Sequence, residues 1–220
     1  SVVQVNQAAG FSIVTYTGSG GNGQSVNHGL GLAPEVIMTK ARNGVGDWYV
    51  YHKDTGTANF TKLNATAAQA GSSPYAAADP NSTAFFVSAN LIYVGELGAD
   101  YISYCFSPIQ GYSKFGSYIA NANADGPFVY TGFKPAWILR KATTRAEPWM
   151  LMDNKRSPIN QAGTILDPSS NAGDATTPGD YALDFLSNGF KVKSGNTSYG
   201  NHTSGVKYIY MAFAENPFVT

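Results

Sequence analysis

Hydrophobic residues gather in short runs bounded by polar, turn-forming clusters. FSIVTYT (11–17), EVIMTKA (35–41), WYVYH (48–52), AFFVS (84–88) and YISYCF (101–106) are rich in β-branched and aromatic residues, and clusters of Gly, Pro, Asn and Asp separate them. FVYT (128–131), AWILRKA (136–142), WMLM (149–152), GFKVK (189–193) and YIYMAF (208–213) follow in the second half. No long run keeps apolar positions at i, i+3, i+4 and i+7. The best helix candidate is the alanine-rich TKLNATAAQA (61–70), so the pattern predicts at most one short helix. Short strands joined by turn-rich connectors point to an all-β chain of sandwich type rather than βαβ units.

The chain contains itself twice. GLAPEVIMTKARNGVGDWYVYHKD (31–54) aligns without a gap on GFKPAWILRKATTRAEPWMLMDNK (132–155), at an offset of 101. Gly31, Pro34, Ile37, Lys40, Ala41 and Trp48 fall on Gly132, Pro135, Ile138, Lys141, Ala142 and Trp149. Upstream, FSIVTYTG (11–18) corresponds to KFGSYIAN (114–121), slid by one residue so that Tyr16 lies over Tyr118. Downstream, YISYCF corresponds to YIYMAF after a slightly longer insertion. Three blocks in one order predict two tandem β-sandwich-like units, residues 1–112 and 113–220.

The third strand carries large, mostly apolar side chains on both faces in both copies. Trp48, Val50 and His52 share one face and Tyr49 and Tyr51 the other; Trp149, Leu151 and Asp153 oppose Met150 and Met152. Such a strand is expected at the centre of a sheet covered on both sides. Together with the short link SPIQGYSKFGS (107–117), it leads us to expect a second unit packed rigidly on the first.

Composition narrows the function. The 220 residues hold 14 Lys+Arg and 14 Asp+Glu, a formal net charge of zero. Charged residues are 13% of the chain, about half the roughly 25% of ordinary globular proteins. The 19 Ser, 17 Thr and 17 Asn supply 53 uncharged polar residues instead. A coiled coil needs charged helix faces, and nucleic-acid binding by bulk positive charge needs a basic excess; neither is expected. The single cysteine, Cys105, excludes an intrachain disulfide and reads as a buried, inert thiol. The N-terminal SVVQVNQAAG is no signal peptide, and no apolar stretch predicts membrane insertion. Five sequons, at Asn59, Asn64, Asn81, Asn196 and Asn201, arise readily by chance in a chain this rich in Asn, Ser and Thr.

Most motif matches have a plainer reading. Gly18-Ser19-Gly20-Gly21-Asn22-Gly23 matches a dinucleotide fingerprint, but QSVNHGLGLAP follows where a helix is required, so a hairpin turn is expected. Asn121, Asn123 and Asp125 open like a calcium loop, but Gly132 stands where its last acid belongs, which favours a β-turn. His28, His52 and His202 lack zinc-site spacing, and His28 reads as bonded to backbone. No acid pair shows the spacing of a glycosidase; Asp180 and Asp184 could approach only in a turn or helix. No catalytic residue, metal or cofactor is predicted.

The best functional candidate pairs an acid with a tryptophan. Asp47-Trp48 parallels Glu147-Pro148-Trp149, each opening a strand after a polar loop. Indole faces stack on sugar rings and carboxylates accept hydrogen bonds from hydroxyls. Asp47, Trp48, His52, Glu147, Trp149 and Asp153 are therefore the candidate ligand-binding residues. The competing reading makes each Trp a core anchor and each acid a turn cap.

Several stretches carry a family resemblance: GFSIVTYTGSG (10–20), HGLGLAPEVIMTKAR (28–42), DWYVYHKD (47–54), IQGYSKFGSY (109–118), DGPFVYTGFKPAWILRK (125–141), DFLSNGFKV (184–192) and YMAFAENPF (210–218). They resemble an uncharacterised β-rich domain of virion proteins from marine tailed phages of the cyanophage and pelagiphage kind, also met in marine metagenomes. It often lies beside concanavalin-A-like lectin domains. The resemblance spans roughly residues 10–218 and brings no catalytic residues. It implies a place in the tail or on the virion surface after assembly in the host cytoplasm. The implied partners are a host surface glycan or receptor and other virion proteins, with a homo-oligomer such as a trimer open. Adhesion or a structural role in a tail fibre is the expected function. A tailspike-like glycan depolymerase and a purely architectural virion domain are the alternatives.

Overall fold

The computed structural model describes residues 1–88, 94–176, 181–194, 199–201 and 203–217. The chain divides into two compact units, Ser1–Asn64 with Gln69–Ile109, and Ala65–Ala68 with Gln110–Thr220. The fold is all-β; among the described residues the only helical element is a 3-10 turn, Lys53–Thr55. No helix there is long and apolar enough to cross a membrane.

The first unit carries β1 (Val2–Asn6), β2 (Phe11–Thr17), β3 (Gln24–Asn27), β4 (Val36–Ala41), β5 (Tyr49–His52), β6 (Thr61–Lys62), β7 (Ala84–Val87) and β8 (Asp100–Phe106). Six form one sheet in the order β1-β2-β8-β4-β5-β6, and β3 pairs with β7. Alternate residues of β2 and β8 are buried, as a period of two requires when one face meets the core. Val14, Tyr16, Ile37, Tyr101 and Cys105 from the large sheet pack with Val26, Phe85 and Val87 from the ribbon. Two sheets closing on one apolar layer make a sandwich. Burial pushes the Cys105 thiol pKa well up, so it stays protonated.

The second unit carries β9 (Ser113–Ile119), β10 (Phe128–Tyr130), β11 (Pro135–Ala142), β12 (Met150–Asp153), β13 (Thr164–Ile165), β14 (Ala175–Thr176), β15 (Leu183–Leu186), β16 (Gly189–Val192) and β17 (Lys207–Ala214). Its main sheet runs β12-β11-β17-β9, facing a three-stranded sheet β10-β16-β15. Tyr118, Ile138, Tyr208 and Tyr210 meet Val129, Leu183, Phe185 and Phe190 between them.

The duplication is visible in the strand orders. Reading β2-β8-β4-β5 against β9-β17-β11-β12 matches every strand to its sequence counterpart. The registers agree as well: Tyr16 faces Tyr101 and Tyr118 faces Tyr208, while Val36 faces His52 and Trp137 faces Asp153. In the small sheets Val26 faces Phe85 and Val129 faces Phe190.

The structure agrees with at most one short helix, and the one candidate is not helical over residues 61–70. Leu63 donates its N–H to the Trp48 carbonyl, and Phe60 and Ala70 exchange backbone hydrogen bonds, so extended partners claim the groups a helix would need. Two expectations need correction. The glycine run 18–23 is not a hairpin: β2 and β3 belong to different sheets, and the run carries the chain from one to the other. It is pinned there by the Gln24 side chain, which accepts from Ser19 N and donates to the Thr17 carbonyl. Finally, β12 is an outer strand of its sheet rather than a central one, extended only by a bridge between Leu151 and Leu166. Large apolar residues on both faces report covering of those faces, not a central place.

Candidate functional site

The six candidate residues lie on or beside β5 and β12, and the fold treats them differently. Asp47 sits where the 43–46 loop enters β5, and its side chain is partly exposed. Its Oδ2 pairs with Lys62 Nζ at 2.7 Å and its Oδ1 accepts from Asn64 Nδ2 at 2.9 Å. The hydrogen bond from Lys62 holds the Asp47 carboxyl below the usual carboxylate range, against a smaller opposing effect of burial. Trp48 is half-buried and stacks on Tyr104 with centroids 5.8 Å apart. Asn64 is the local organiser, since its Oδ1 also accepts from Trp48 N.

Three candidates are buried. His52 caps the 3-10 turn, its Nδ1 accepting from Asp54 N at 3.1 Å. Trp149 is 2% exposed, which leaves no face for a sugar ring. Glu147 is 1% exposed, with Oε2 accepting from Tyr208 Oη at 2.7 Å and Oε1 lying 3.0 Å from Arg145 Nε. Asp153 is half-buried and caps the turn after β12: Oδ1 accepts from Lys155 N and Arg156 N, and Oδ2 pairs with Arg156 at 2.8 Å. In the second unit, then, both members of the acid–Trp pair are buried, Glu147 against Tyr208 and Arg145.

The other motifs resolve locally. Asn121, Asn123 and Asp125 build a ladder of side-chain-to-backbone bonds, Asn123 N to Asn121 Oδ1 and Asp125 N to Asn123 Oδ1, and Asp125 pairs with Lys191. That is an Asn-rich turn using its own oxygens. His28 is buried between two backbone groups: Leu30 N donates to Nδ1, so Nε2 carries the proton it gives to the Asn81 carbonyl. Burial lowers the His28 pKa, which keeps the imidazole neutral. Among the described residues no group of three or more His, Cys, Asp or Glu is placed to hold a metal ion. His202, Asn196 and Asp180 lie outside the described residues.

What the first unit does offer is a cleft of about 550 Å³ at one end of its large sheet, lined by the 43–47 loop, Glu96, Ala99 and the buried Tyr49 and Tyr101. Lys40 Nζ donates to the Gly46 carbonyl and Asn43 Oδ1 accepts from Asp100 N, so both ends of the loop are tied to the sheet. The exposed Val45 marks its tip. Tyr101 Oη accepts from Glu96 N at 3.1 Å, anchoring the opposite wall. Asp47 and Glu96 thus line one cleft although 48 residues of sequence separate them. Sequence reasoning found Asp47 and missed Glu96, Tyr49 and Tyr101. Glu96 lies in a segment outside the three aligned blocks, and the tyrosines read as core.

Fold and cleft together define an all-β domain of two like-folded units, one of which opens an acid-lined cleft among its loops. The chain belongs to the family described as Domain of unknown function (DUF7483), whose model matches residues 1–217. No curated protein and no solved structure matches the chain.

Proposed function

We propose that this domain is an adhesion module of a phage virion and that the first unit's cleft holds a cell-surface glycan. The observation that carries the glycan reading is the meeting of Asp47 and Glu96 with Tyr49, Tyr101 and the apolar tip Val45 around one cleft of about 550 Å³. Carboxylates accept hydrogen bonds from sugar hydroxyls, and apolar side chains cover the C–H faces of the ring. Asp47 is already held ionised by Lys62, which makes it a standing acceptor. A surface of uncharged Ser, Thr and Asn supports recognition that salt screens little. The place in a virion, and the company of other virion proteins, rests on the family resemblance of the quoted stretches.

The test is a glycan array probed with the wild-type protein and with Asp47→Ala and Glu96→Ala. Both substitutions should weaken binding about tenfold, the loss of one or two hydrogen bonds, with the melting temperature nearly unchanged. A blank array combined with a stable large oligomer in sedimentation would favour the architectural role instead.

A second reading has one specific observation behind it. Two carboxylates in one cleft are the minimum equipment of a glycoside hydrolase, and Asp47 with Glu96 meets that minimum. The Lys62 contact that keeps Asp47 ionised suits a nucleophile or base. Sustained release of reducing ends from host polysaccharide, lost in Glu96→Gln, would establish the depolymerase; its absence leaves binding alone.

A further inference from the structure

In the gapless pairing of 31–54 with 132–155, Gly44 and Gly46 fall on Arg145 and Glu147. The flanking strands obey that pairing, since Thr39 faces Tyr49 just as Arg140 faces Met150. In the second unit the buried Glu147 accepts a hydrogen bond from the Tyr208 hydroxyl at 2.7 Å and meets Arg145 at its other oxygen. The counterparts of Ala142, Glu147 and Tyr208 in the first unit are Ala41, Gly46 and Tyr101, and all three line the cleft.

The tyrosines agree in one hydrogen bond and differ in the next. Gly200 N donates to Tyr208 Oη at 3.2 Å, and Glu96 N donates to Tyr101 Oη at 3.1 Å. Tyr208 then gives its own proton to Glu147, whereas the Tyr101 proton meets no acceptor among the described residues. Space is left for one. A Cβ built on Gly46 has Ala41 Cβ, 3.9 Å away, as its nearest neighbour, and one built on Gly44 meets nothing within 4 Å. The cleft is the second unit's Arg–Glu plug left out.

We infer that the first unit's cleft takes an uncharged sugar, one of whose hydroxyl oxygens accepts from Tyr101 Oη as the Glu147 carboxylate accepts from Tyr208. This rests on the glycan-binding reading above and names the ligand class. A hydroxyl can accept from Tyr101 and donate to a neighbouring carboxylate at once, which an anion cannot. A ligand carboxylate or sulfate would also lie beside Asp47 and Glu96 without the arginine that supports Glu147. Two nearby cations are already engaged, Lys62 with Asp47 and Lys40 with the Gly46 carbonyl.

The experiment restores the plug. Wild type and the double variant Gly44→Arg/Gly46→Glu are titrated calorimetrically with the strongest neutral oligosaccharide from the array and with uronic-acid and sulfated oligosaccharides. The double variant should lose neutral-sugar affinity by about tenfold or more and keep its melting temperature. Tyr101→Phe, which removes only the hydroxyl, should lose about tenfold by the same argument and serves if the double variant misfolds. A neutral glycan bound equally by the wild type, the folded double variant and Tyr101→Phe overturns this inference and leaves glycan binding standing. A preference for the anionic probes does the same. A wild-type array blank for every glycan overturns both.

Discussion

Tyr16 stacks on Tyr101 across β2 and β8, centroids 5.2 Å apart, while Phe85 of the small sheet meets Tyr16 edge-on at 6.0 Å. Tyr118, Tyr208 and Phe190 repeat the knot at 5.1 and 6.2 Å. The hydroxyls recur too: Tyr16 donates to the Val94 carbonyl and Tyr118 to that of Gly200, each fixing the segment before the last strand of its sheet. A knot of this kind joins the two layers of a sandwich and holds one wall of the loop end. Against that common frame, the first unit has Gly46 lining its cleft where the second has the buried Glu147.

The two tryptophans of the acid–Trp pairs should separate cleanly. Trp149 is buried and Trp48 only half-buried against Tyr104. Trp149→Ala should cost about 3–5 kcal/mol of stability, the usual range for emptying a large core site, and Trp48→Ala distinctly less. Urea unfolding of both variants checks this, and equal losses would contradict the assignment.

Arg140 is the largest charged side chain in the second unit's core. It is fully buried, donates to the Tyr181 carbonyl at 2.6 Å and to Tyr118 Oη at 3.3 Å, and has no partner at Nε. The first unit puts Thr39 in that place, bonded to Ser103. Arg140→Ala should destabilise by about 3 kcal/mol or more, from the cavity and the stranded carbonyl together. Arg140→Met keeps most of the volume and discards the buried charge, so it should cost less. Denaturant midpoints of the two variants provide the comparison, and a costlier Met variant would contradict the account.

Lys141 gives the stability a pH signature. Its Nζ is buried and donates to the Thr66 and Ala142 carbonyls, and burial draws its pKa down to about 8 against the pull of Glu147 and Asp167. Between that value and the roughly 10.4 of an unfolded lysine, the unfolded chain holds the extra proton, so this residue raises stability as pH climbs. Cys105 and the buried tyrosines, with raised pKa values, work the other way above about pH 8.5 and 10 respectively, where only the unfolded chain ionises. Comparison with Lys141→Met isolates the lysine. The variant's stability relative to wild type should fall by on the order of 2–3 kcal/mol from pH 7 to 10.5, read from urea midpoints. A pH-independent difference would contradict this.

The duplication was legible because it rests on residues that pack: Ile37 and Ile138, Trp48 and Trp149, Tyr16 and Tyr118 fill equivalent places, and packing keeps side-chain type. The cleft was much less legible. Asp47 stands one residue before Trp48 and Glu147 two before Trp149, so the gapless partner of Glu147 is not Asp47 but Gly46. An absent side chain carries no motif. Glu96 reaches the cleft through the turn before β8, a long-range placement that strand patterns do not encode. The weakly patterned 61–70 segment is not helical for the same kind of reason: Asn64 and Leu63 are bonded to Trp48 and Asp47, distant in sequence.

The central claim is that ligand enters the first unit's cleft. Titrating the isotope-labelled protein with the array's best neutral oligosaccharide while recording amide NMR shifts tests it most directly. The account predicts that the largest shifts gather at Asn43–Asp47 and at Glu96–Tyr101, with the Asn121–Asp125 turn and the Glu147 loop unmoved. Shifts centred on the second unit, with Asn43–Asp47 silent, would contradict it.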